Sequence, residues 1–136
     1  MKKTHVKVTL DTNVLARVMV DDSTAPAQCA AARKALAAAT AVFVPQVVQI
    51  ELCWILETAF GLRHAEVASV LRALQSTPRV ELEHRPSFDA ALAQFATDAA
   101  WGFADAMIAA AAAKQQTTLL TFDKKLARLS GTAVLR

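Results

Sequence analysis

Short runs rich in β-branched and apolar residues recur along this chain, and helical rather than alternating patterns separate them. Residues 5–10, 42–44, 80–82, 117–121 and 132–135 read as strands, each bounded by turn-forming residues or by a helical stretch. Short strands alternating with helices imply a parallel sheet covered on both faces, an α/β sandwich. Only three Gly and four Pro stand among 136 residues, which argues against many tight turns.

The helical stretches carry their own punctuation. Asp11, Thr12 and Asn13 can cap a helix over 14–20, which Asp21, Asp22 and Ser23 close; a second helix covers 25–39. From 47 to 60 the pattern is helical, with Val47, Ile50, Trp54 and Leu56 as apolar anchors and Gly61 as a stop. Val67, Val70, Leu71 and Leu74 fall at i, i+3, i+4 and i+7, an amphipathic helix ended by residues 76–78. Helices over 87–99 and 103–115 follow, separated near Gly102, and a short one over 123–129. No repeat or linker interrupts the pattern, so residues 1–136 are expected to form a single domain, large enough to bury roughly two-thirds of its unfolded surface. With 54% hydrophobic and 20% charged residues, a packed core is expected and extensive disorder is not.

The two cysteines, Cys29 and Cys53, have neither metal-ligand nor redox spacing and lie among apolar residues, as buried thiols do. Asp11 arrives before any apolar run long enough for a signal peptide, and the apolar stretch 99–113 is short for a bilayer and broken by Asp105. A cytoplasmic protein with no membrane association is the expectation.

Four acids carry the chemical argument. Asp11 is the only charged residue between Lys7 and Arg17, Glu51 the only one from 41 to 56, and Asp105 the only one from 99 to 113. A buried lone carboxylate costs several kcal/mol unless paired or protonated. At ~4 Å and an effective dielectric of about 20, two of them repel by roughly 4 kcal/mol. A divalent cation would remove that repulsion, and oxygen ligands without a His or Cys cluster suit Mg²⁺ or Mn²⁺ better than zinc. Asp11 and Asp123 each follow a strand at its carboxyl end, where open parallel sheets place ligand sites. Each acid also has a plainer role open to it: Asp11 and Asp123 as helix caps, Glu51 as an outward residue of an amphipathic helix. Asp105 is crowded by Ala104, Ala106, Met107 and Ile108, which makes a plain surface role harder to assign.

The net charge is +3, and residues 124–136 hold Lys124, Lys125, Arg128 and Arg136 with no acid among them. Such a patch can steer a phosphate backbone, or it can be an ordinary solvated surface.

At these residues the chain resembles the PIN-domain family, particularly the VapC-like toxins of bacterial toxin–antitoxin pairs. The resemblance rests on residues 8–13 (VTLDTN), 44–46 (VPQ) through Glu51-Leu52, 103–110 (FADAMIAA) and 119–126 (LLTFDKKL), in an order and at intervals that span nearly the whole chain. It implies a three-layer α/β/α sandwich with a short parallel sheet flanked by helices, and Mg²⁺- or Mn²⁺-dependent endoribonuclease activity. It further implies a homodimer and a cognate antitoxin whose C-terminal segment blocks the site. By position the metal-binding, catalytic acids would be Asp11, Glu51, Asp105 and Asp123, with Asn13 and Thr121 as polar neighbours that orient water or ligands. Two departures stand out: Gly102 occupies a place where many relatives have an acid, and Gln115-Gln116 stand where relatives often have Gly.

The reaction implied is hydrolysis of an RNA phosphodiester by a metal-activated water, leaving 5′-phosphate and 3′-hydroxyl ends. Single-stranded or looped RNA is the expected substrate, and Arg17, Lys124, Lys125 and Arg128 are candidate phosphate contacts. Trp54, Phe60, Leu71 and Leu74 have two readings, a dimer or antitoxin surface and core packing. A non-catalytic RNA-binding module is the rival class. A phospho-receiver domain needs an Asp after a middle strand, and neither 42–44 nor 80–82 supplies one. An aspartyl-phosphate phosphatase needs a second Asp two residues after the first, where Asn13 stands.

Overall fold

The computed structural model describes residues 6–136, which divide into two compact units, 6–83 and 84–136. Both are α/β, and all strand pairing among the described residues is parallel. His5, expected in the first strand, lies outside the described residues.

The first unit runs β1 (Lys7–Thr9), α1 (Thr12–Met19), α2 (Pro26–Ala38), β2 (Ala41–Val44), α3 (Gln46–Thr58), α4 (His64–Gln75) and β3 (Val80–Leu82). The strand order is β1-β2-β3, with Val8 opposite Val42 and Val42 opposite Val80. Both crossovers step the same way along the sheet, and right-handed crossovers then put all four helices on one face. Helix α1 accordingly packs against α2, α3 and α4. Toward them the sheet presents Val42, Val44 and Leu82, all buried; toward the other side point Lys7, Thr9 and Glu81, all exposed. Lys7 and Glu81 lie on the two outer strands, and Lys7 Nζ reaches Glu81 Oε2 at 2.6 Å across β2. Register places Ala41 beside Lys7 and Phe43 beside Glu81, so the pair runs diagonally across β2.

Helix α3 departs from its sequence reading. Of the anchors expected there, Leu56 is buried, but Val47 is 69% and Trp54 64% exposed. The buried face is instead Val48, Gln49, Leu52, Cys53 and Leu56, the i, i+4, i+8 row with its neighbours. A polar residue, Gln49, stands at the centre of that face and gives no apolar signal in the sequence. Its amide is fully buried: Nε2 donates to Val44 O (3.1 Å) and Glu83 O (2.9 Å) at the ends of two strands, while Oε1 has no partner among the described residues. Leu71 and Leu74 are likewise fully buried, which settles them as core; Trp54 is the residue of that group that is well exposed.

Both thiols are buried and free, as expected. Burial, reinforced by the charge of Glu57, pushes the Cys53 thiol far above its ordinary value, so it stays protonated and unreactive.

The second unit runs α5 (Arg85–Thr97), α6 (Phe103–Lys114), β4 (Leu119–Thr121), a 3-10 turn (Leu126–Arg128) and β5 (Thr132–Val134). Its core is aromatic: Phe103 meets Phe88 and Phe95 edge-on, at centroid distances of 5.8 and 5.9 Å. Strands β4 and β5 pair in parallel as a sheet of their own, Leu120 opposite Ala133. The helix expected over 123–129 is only the 3-10 turn. Asp123 Oδ1 accepts from Lys125 N (2.8 Å) and Leu126 N (3.4 Å), a local bond pattern that competes with a regular α-helical start.

Phe95→Ala should cost about 3–5 kcal/mol in chemical denaturation, since its ring is fully buried against Phe103. Lys7→Ala should cost less than about 1 kcal/mol, because both partners of its ion pair are 55% exposed.

Candidate functional site

In the first unit the chain leaves β1 through Leu10, which is buried, and Asp11, which is exposed. Asp11 is the N-cap of α1: its Oδ1 accepts the N–H of Val14 at 3.0 Å, satisfying one of the free donors of the first turn. Its other oxygen accepts no hydrogen bond among the described residues. Asp11, Asn13, Val14 and Arg17 on α1 face Gln28, Ala31, Ala32 and Ala35 on α2 across a pocket of about 370 Å³. Three of the residues singled out in the sequence, Asp11, Asn13 and Arg17, thus share one cavity; Gln28 belongs with them and was not foreseen.

Arg17 is held rather than free. Its Nη1 donates to Asn13 O at 3.3 Å, its Nη2 lies 3.7 Å from Asp22 Oδ2, and its Nε is buried without a partner among the described residues. The Asp22 carboxyl is held below the usual carboxylate range, first by the Thr24 hydroxyl, then by the Thr24 N–H, with the Arg17 charge adding to both. Asp22 therefore stays ionised as the counter-charge of Arg17.

Glu51 sits in the middle of α3, exposed, between the outward residues Val47 and Trp54. In the second unit, Asp105 is the third residue of α6, where a carboxylate complements the helix dipole, and it is half-buried. A Cβ at Gly102 would meet its Oδ2 at 3.8 Å, ordinary contact, so the glycine leaves open space beside the acid. Asp123 is exposed, and Thr121 Oγ1 accepts its N–H at 3.0 Å.

Two of the acids thus belong to each unit. Within neither unit do three or more His, Cys, Asp or Glu side chains among the described residues gather closely enough to hold a metal. None of the four acids takes part in an ion pair among those residues. The expectation that Asp11 and Glu51 lie in apolar surroundings is corrected: both are exposed. Helical rotation separates Glu51 from Leu52 and Cys53, and Asp11, the N-cap of α1, is exposed although its neighbour Leu10 is buried. Neighbours in sequence are not neighbours in space.

Lys124, Lys125 and Arg128 are exposed. Phe122 is 80% exposed between Thr121 and Asp123 and was not singled out in the sequence, where an aromatic next to a strand reads as core.

The PIN-domain family model matches residues 8–131, and the chain belongs to the PIN-domain family. The family's α/β/α fold class, with its short parallel sheet, agrees with the six helices and parallel strands of the described residues. Its members are in general nucleases, which places the chain among hydrolases of nucleic acid at that level. No curated protein matches the sequence. No helix among the described residues is long and apolar enough to cross a membrane.

The cap and the ligand roles of Asp11 separate cleanly by substitution. Asp11→Ala should cost about 1 kcal/mol of stability, whereas Asp11→Asn should cost little because asparagine caps as well as aspartate. Urea melts of the two variants in EDTA check this.

Proposed function

We propose that this protein is a metal-dependent endoribonuclease, the VapC-like toxin of a bacterial toxin–antitoxin pair, acting on single-stranded or looped RNA in the cytoplasm. The observation that carries the reading is that Asp11, Glu51, Asp105 and Asp123, one in each family-like motif, are all free of ion-pair partners among the described residues. Carboxylates with uncommitted oxygens are the donor set that Mg²⁺ or Mn²⁺ takes. Residues 1–136 would act as one PIN-like domain.

The division of labour follows from the local bonds. Asp11 spends one oxygen on Val14 N–H and keeps the other for a ligand. Thr121 fixes the backbone at Asp123, which limits where that carboxylate points. Asn13 and Arg17 line the pocket that Asp11 opens onto, Asn13 to orient water and Arg17 to meet a phosphate. Lys124, Lys125 and Arg128 supply further positive charge. A divalent cation held by the four acids would activate the attacking water and offset charge on the phosphate. The homodimer and antitoxin belong to the same proposal, with exposed Val47 and Trp54 on α3 as apolar contact points beside Glu51.

Antitoxin-free protein should cleave mixed cellular RNA with Mg²⁺ or Mn²⁺ and not with EDTA, and Asp105→Asn should lower the rate by at least about a hundredfold. Because Asp105 forms no ion pair, that variant should lose no more than its helix-dipole contribution, about 1 kcal/mol or less, in EDTA. A folded, metal-loaded protein that binds RNA and cuts none of several pools would mark a non-catalytic RNA-binding module instead.

A further inference from the structure

Phe122 has no packing role that matches its size. Its ring is 80% exposed, yet the turn that carries it is tied on its C-terminal side: Thr121 Oγ1 accepts Asp123 N–H, and Asp123 Oδ1 accepts Lys125 N–H. The ring is thus presented outward by a restrained backbone. Together with Lys124, Ala127, Val134, Leu135 and Arg136 it lines a pocket of about 620 Å³. Lys124 and Arg136 are exposed, and neither forms an ion pair among the described residues.

An aromatic face beside two uncommitted cations suits a ligand that joins a flat π-system to an anion. A nucleotide of single-stranded RNA has both, and its base face is accessible, whereas a duplex hides it. An acidic protein segment would satisfy the cations and leave the ring unused. We propose that Phe122, Lys124 and Arg136 form a nucleotide subsite for single-stranded RNA. One base stacks on the Phe122 ring and an adjoining phosphate contacts Lys124 and Arg136. The subsite rests on the ribonuclease reading and extends it, since Phe122 directly precedes Asp123 and would seat a nucleotide of the strand being cut.

The test is binding of a short labelled single-stranded RNA in EDTA, so that no cleavage intervenes, against an abasic strand of equal charge. The parent should prefer the base-bearing strand by about tenfold; Phe122→Leu should lose that preference and Phe122→Trp keep it. A Lys124→Gln, Arg136→Gln variant should weaken both strands alike and reduce the salt slope by about 0.7, one phosphate's worth. The proposal is overturned if folded Phe122→Leu binds the RNA as the parent does, or if its only loss is toward an acidic peptide, which would make the surface a protein-docking site. Cleavage assayed beside binding separates the two levels. Phe122-dependent binding without metal-dependent cleavage upholds the subsite and sinks the nuclease; cleavage with a neutral Phe122→Leu does the reverse.

Discussion

Two parallel neighbours cannot be joined by a tight hairpin, and this constraint organises the first unit. Each return from the end of one strand to the start of the next must climb over a face of the sheet. With β2 beside β1 and β3 beside β2, both returns climb over the same face, which therefore has to be apolar, while the other keeps Lys7, Thr9 and Glu81. The arrangement also sends the chain out at the carboxyl end of β1, directly into Asp11 and α1. A residue's place at that end is a matter of topology before it is a matter of chemistry.

The four acids show how stability and ligand binding share side chains. Asp11 shapes α1, Asp123 shapes the turn after β4, and Asp105 complements the start of α6. None is locked against a Lys or Arg among the described residues, unlike Asp21, Asp22, Glu66 and Glu81. Local hydrogen bonds orient two of these carboxylates without neutralising them, and a cation-binding group needs both properties at once.

Much of this was legible in the sequence. The strands 42–44 and 80–82, the helix caps and the 67/71/74 stripe follow from periodicity and turn residues, and the structure moves their limits by only a residue or two. The face of α3 was not legible, because a stretch containing Val47, Val48, Ile50, Leu52, Trp54, Ile55 and Leu56 offers apolar residues in almost every direction. Burial there was decided by hydrogen bonds that no pattern of hydrophobicity reports. The exposure of the acids was misjudged for a related reason: a linear window counts neighbours that the helix turns away. Phe122 carries no such signal in the sequence, because an aromatic beside a strand is usually core, whereas this one is exposed.

Gln49 has an effect beyond its own two bonds. By engaging Val44 O and Glu83 O together, its amide indexes α3 against the ends of β2 and β3, as a key fits one angular setting of a shaft. Successive residues of a helix are rotated by about 100°, so a slip of a single position would swing Glu51 from solvent toward the core and bring Ile50 or Leu52 out in its place. The one amide inside an apolar face thus determines the heading of a carboxylate two residues away, and an uncharged, buried side chain governs where a charged, exposed one points.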